Sequence, residues 1–158
     1  MKDTNRKLLI IGIGNIGRQD DGLAWALLDR LKRLTDINTT LHYAYQLNIE
    51  HAEKIAQYQK VIFIDASHNE LSKGFLWSDC EEKSNYEFTS HSLEPNVIFT
   101  LSNELYHSEN EVNILQIQGY DWELKEGITT KAKLNLERAF DFLMDEHLIE
   151  NRHLELQE

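Results

Sequence analysis

One cysteine, one proline and no cluster of basic residues occur among the 158 amino acids, and each shortage closes off a class of function. Cys80 has no second cysteine to pair with, so an internal disulfide is excluded and a reducing, cytoplasmic setting is the simplest expectation. With only Pro95, and with no repeat or low-complexity tract, nothing marks a linker between domains. Lys and Arg number 16 against 27 Asp and Glu, a net charge of −11, which argues against a nucleic-acid partner. No apolar run is long enough to span a membrane and no signal peptide is evident, so no membrane partner is expected. Such an acidic chain suits a basic polypeptide segment or a metal cation, and a monomer is expected.

What is present reads as one domain over residues 1–150, with a frayed tail at 151–158. Residues 8–13 and 61–66 are near-continuous apolar runs, the mark of strands buried on both faces. A second strand is expected at 40–45, a strand near an edge at 74–82 and a last one at 112–117. Between them fall helices at 20–34, 49–58, 95–106 and 129–148, the first with Leu27, Leu28, Leu31 and Leu34 on one face and the third with Val97, Ile98, Leu101 and Leu105. Asn48 is placed to cap the second helix and Pro95 to open the third. Alternating strands and helices predict a single three-layer α/β/α domain with a mostly parallel, twisted sheet of about five strands.

The chain is organised around residues 8–34, where strand one runs into Gly12, Gly14 and Gly17 and then into Asp20-Asp21-Gly22. The glycine spacing matches a dinucleotide-binding loop, in which bare backbone and a helix N-terminus receive a pyrophosphate. Two carboxylates beside that phosphate oppose it, and strand two ends in His42-Tyr43-Ala44-Tyr45 without an acid for a ribose. The loop therefore suits a cation better than an anion. An isolated Asp-Asp pair at a helix start is ordinarily a cap that complements the helix dipole.

In a parallel sheet of this order the ends of strands one and three are neighbours, so the Asp20-Asp21 turn and Asp65 meet at one rim. Carboxylates gathered there need a cation, a shared proton or separation. A histidine would complete an oxygen-and-nitrogen site, and the residues leave His68, three positions past Asp65, and His91, in the polar loop before Pro95, as near-equal candidates. His42, His51, His107, His147 and His153 are most simply structural or solvated. Cys80 lies away from this rim, so no serine or cysteine nucleophile with a partnered base is evident. A phosphoacceptor signalling domain also carries acids after strand one and an Asp at strand three, but it needs a lysine where Gln118-Gly119-Tyr120 stands.

Gly12-Ile13-Gly14-Asn15 followed by Asp20-Asp21-Gly22, Ile64-Asp65-Ala66 at the third strand's end, and Ser90-His91 before a helix together resemble the hydrogenase maturation protease family. Its members trim the C-terminal extension from the large subunit of nickel-iron hydrogenases. The resemblance spans residues 8–101; Ala24 stands where many members have a second glycine. It implies an α/β endopeptidase whose catalytic and metal-contacting residues are Asp21, Asp65 and His91. Nickel would come with the substrate, because two carboxylates and an imidazole are harder donors than the thiolates that hold it in the hydrogenase subunit. The implied partner is a hydrogenase large-subunit precursor. The alternatives are a dinucleotide-binding oxidoreductase, a phosphoacceptor domain and a non-catalytic nickel-binding accessory protein.

Overall fold

A computed structural model of the chain describes residues 8–34, 38–83 and 93–148. Strands β1 (Leu8–Ile13), β2 (Thr39–Ala44), β3 (Lys60–Ser67), β4 (Phe75–Asp79) and β5 (Glu111–Gln118) form one sheet in the order β2-β1-β3-β5-β4. The pairs from β2 to β5 are parallel, and β4 closes one edge antiparallel to β5. Helices α1 (Leu23–Leu31) and α4 (Thr130–Phe142) cover one face, and α2 (Glu50–Ile55) and α3 (Pro95–Tyr106) cover the other. The expected three-layer α/β/α domain is the observed one.

Alternation along the central strands divides the core. Ile10 of β1 with Ile62 and Ile64 of β3 packs under α1 and α4, whereas Leu9, Ile11, Val61 and Phe63 pack under α2 and α3. Leu27, Leu28 and Leu31 of α1 are wholly buried, each contributing roughly 1.5–3 kcal/mol. The connection from β1 through α1 leads to β2 on one side, while β3 lies on the other side of β1. Strand order thus reverses between β1 and β3, and their carboxyl ends open the crevice where ligands bind in such sheets.

The differences from expectation are local. Instead of one helix over 20–34, a 3-10 turn (Ile16–Gly22) precedes α1, because the chain is kinked at Arg18 and Gln19. The second helix is shorter, and Leu105, expected on the buried side of α3, is 53% exposed at that helix's last turn. The last helix continues beyond Phe142 as a π turn, Leu143–His147. β3 extends past Asp65 to Ser67 through its pairing with β5. No helix among the described residues is long and apolar enough to cross a membrane. The tail at 151–158 and the loop residues 84–92 lie outside the described residues.

Two of the histidines, buried His51 and half-buried His42, form a joint between β2 and α2. Asn48 Oδ1 accepts the Glu50 N–H at 3.0 Å, and His51 Nδ1 in turn accepts the Asn48 N–H at 3.0 Å. With its Nδ1 lone pair engaged, neutral His51 carries its proton on Nε2 and donates it to His42 Nε2, 3.3 Å away. Both rings must then be neutral. Burial lowers both below the ordinary 6.5, and the nearby Lys54 ammonium acts in the same direction.

A lowered histidine means that the unfolded chain binds the proton first as pH falls below 6.5, so the pair's contribution to stability drops in that window. The melting temperature of His51→Gln is expected to gain on that of the wild type as pH is lowered from about 8 to about 5.5. Parallel pH profiles for the two proteins would count against a neutral pair.

Candidate functional site

At the carboxyl end of β1, Asn15 opens the 3-10 turn by accepting the Gly17 N–H on its side chain at 2.8 Å. Gly14, at φ +150°, leaves room for the chain itself: a Cβ there would lie 1.9 Å from the Asp21 carbonyl oxygen, which accepts the Asn15 N–H. The need for glycine at position 14 is thus accounted for by the turn itself. Gln19 sits at φ 48°, a sparsely populated region for a non-glycine residue that costs about 1–3 kcal/mol and is held only by its surroundings. Beyond that kink Asp20 is wholly buried, while Asp21 remains partly exposed.

Asp65 lies beside Ile13, the last residue of β1, across the parallel β1–β3 pair. One carboxylate oxygen accepts the Ala66 N–H at 2.8 Å. Burial, then the negative charge of Asp21, pushes Asp65 up to about 7. Burial also raises Asp21, opposed by the Asn15 amide and by the positive charges of Arg18 and His68. The structure therefore brings Asp21 and Asp65 into one electrostatic unit at the crevice between β1 and β3. Of the two, Asp65 is the one poised near neutrality. Such a pair suits a divalent cation, or a proton given and taken in hydrolysis.

Asp20, expected as a cap for the first helix, does something else. Its carboxylate accepts the N–H groups of Tyr120 (2.8 Å), Asp121 (3.1 Å) and Thr129 (2.8 Å) and the Thr129 hydroxyl (2.8 Å). Gly22, at the N-terminus of α1, makes no side-chain cap. Asp20 thus ties the loop after β5 to the turn after β1. Gln19 adds two more ties, its side chain accepting the Glu123 N–H and its backbone N–H bonding the Lys125 carbonyl. Gly119 is required there, since a Cβ would lie 2.7 Å from Asp20 Cβ and 2.8 Å from the Trp122 ring.

That loop carries Trp122, whose ring stacks on His68 at 3.7 Å between centroids. His68, which acts electrostatically on Asp21, is thus held against an aromatic plate. Among the described residues, no three His, Cys, Asp or Glu side chains are gathered closely enough to hold a metal ion. His91 lies outside the described residues. Gln118, where a phosphoacceptor domain would need lysine, accepts the Leu71 N–H at 2.8 Å. Cys80 is buried in the core under α2 and α3, its thiol pushed up to about 12 by burial and by Asp79. A pocket of about 280 Å³ borders the turn between α1 and α4, lined by Ile16, Gly22, Ala26 and Ile128, but neither Asp21 nor Asp65 lines it. Asp21 is partly exposed at the rim while Asp65 is largely buried behind it.

The fold is the one that nickel-iron hydrogenase maturation proteases adopt in solved structures. HycI from Thermococcus kodakarensis superposes with a TM-score of 0.69 at 23% identity, over 87% of this chain and 90% of that one. The hydrogenase maturating endopeptidase HybD from E. coli gives 0.66 at 15% identity, over 87% and 90%. A hydrogenase 2 maturation peptidase from a Thaumarchaeota archaeon gives 0.63 at 15%, over 89% and 97%. No family model and no curated protein matches the chain.

Asp65 and Asp20 predict opposite responses to loss of charge. The fold keeps a proton on Asp65 up to about pH 7, whereas the unfolded chain gives it up near 3.8, so ionising Asp65 destabilises the fold as pH rises through that window. Asp65→Asn retains an acceptor for the Ala66 amide and is expected to exceed the wild type in stability at about pH 8, by up to about 4 kcal/mol, with no gain near pH 4. Asp20→Asn leaves donors unmatched in a dry site and is expected to cost roughly 2–4 kcal/mol. Denaturant titrations of both variants check the signs; a stabilised Asp20→Asn would contradict the clamp.

Proposed function

We infer that the protein is a hydrogenase maturation protease, an endopeptidase that removes the C-terminal extension of a nickel-iron hydrogenase large-subunit precursor after nickel insertion. The observation that carries this reading is the coupling of Asp21 and Asp65 at the reversal of strand order, in a fold that the maturation proteases share. The same residues, with His91, are the ones the sequence resemblance assigns to metal contact. The setting is the cytoplasm and the enzyme acts as a monomer on its protein substrate.

In this reading nickel belongs to the substrate. Two carboxylates and an imidazole touch the ion without extracting it from thiolates, so a metal-loaded precursor is held at the rim and an empty one is not. The ion's charge offsets the repulsion between Asp21 and Asp65. Asp65, poised near 7, can take a proton from an attacking water or return one to the departing amine.

Purified protein incubated with nickel-loaded precursor is expected to shorten the large subunit, as followed by mass, and to leave nickel-free precursor intact. Asp21→Asn should lower cleavage and binding together by roughly 10-fold to 100-fold or more. Equal processing of both precursor forms would remove nickel from the recognition step, and processing of neither would overturn the protease reading.

A further inference from the structure

We propose that residues 119–126, the strap after β5, form the docking face of the candidate site, with Trp122 as its anchor, for an apolar stretch of the substrate polypeptide flanked by basic residues. The inference rests on the protease reading above.

The distribution of exposed apolar side chains points there. Of the nine large hydrophobic residues that are exposed among the described residues, Ile16, Tyr45, Ile49, Tyr120 and Leu124 stand on the loops leaving the carboxyl ends of β1, β2 and β5. Scattered exposed hydrophobics need no explanation, but five of them gathered on the loops at the carboxyl end of the sheet, the end that carries Asp21 and Asp65, mark an interaction surface. Leu124 is the most exposed of all, at 77%.

The strap has no regular secondary structure, yet it is held in place. Asp20 takes two of its amides, Gln19 takes a third, and the Gly119 N–H bonds the Ser67 carbonyl at 2.9 Å. Trp122 is fixed between Gly119 and the His68 ring and stays partly exposed. A large ring already fixed in place loses little entropy when a partner packs on it, which is what makes tryptophan an effective anchor.

Charge selects the occupant. Asp121, Glu123 and Glu126 are exposed on the strap against one cation, Lys125, which lies 3.9 Å from Glu123. A chain of net charge −11 disfavours a second copy of itself on this face and disfavours nucleic acid. A polypeptide segment with apolar side chains and basic neighbours matches both properties.

The test measures cleavage kinetics on nickel-loaded precursor for wild type, Leu124→Ser, Trp122→Ala and Trp122→Phe. Leu124→Ser alters a side chain exposed enough to leave folding intact. KM is expected to rise about tenfold in Leu124→Ser and Trp122→Ala with kcat within about twofold, Trp122→Phe keeping most of the affinity, and added salt weakening wild-type binding. Wild-type cleavage with unchanged KM in both truncated variants overturns the docking face alone. A wild type that neither binds nor cleaves the loaded precursor overturns the protease reading, and the docking face with it.

Discussion

The buried carboxylate of Asp20 is the interaction on which the rim depends. A fully buried charge is tolerated only where hydrogen bonds replace its water, and here three amides and a hydroxyl do so. Those donors belong to one loop and to the residue that caps α4, so one side chain joins the first βα connection to the last. The strained backbone at Gln19 fits this arrangement, because it allows adjacent aspartates to serve unlike purposes: Asp20 inward as a tie, Asp21 outward as a charge.

The chemistry follows from placing Asp65 where water is scarce and another carboxylate is near. A carboxyl group poised near neutrality is costly to the fold, and such cost is tolerated where a site needs a group that changes its proton or its partner. The surrounding core does not share this tension. It is apolar on both faces of the sheet, and the thiol of Cys80 within it is kept protonated by its burial.

The sheet, the four helices and the meeting of Asp21 with Asp65 were legible in the sequence, since they follow from period and connection: two apolar runs without alternation must be central, and parallel neighbours must share a rim. The kink before α1 was not, because nothing local at Arg18 and Gln19 announces a break; it is held by residues about a hundred positions later. For the same reason Asp20 reads as a cap when seen beside its own helix and as a tie only when Thr129 is seen beside it. Trp122 left a fainter trace. Tyr120, Trp122 and Leu124 alternate with acids just past the last strand, an apolar display in a position where a simple loop would be polar.

The span of the Asp20 contacts bears on how the molecule comes into being. Its partners lie 100 to 109 residues away along the chain. Closing so long a loop is entropically unfavourable until the sheet between has formed, and a growing chain lacks those partners until the strap and the start of α4 have emerged. The rim is therefore among the last parts to be assembled. A partly made molecule carries Asp21 and Asp65 but lacks the strap that Asp20 holds, so this end of the sheet takes its final shape only once the residues up to Thr129 have been made.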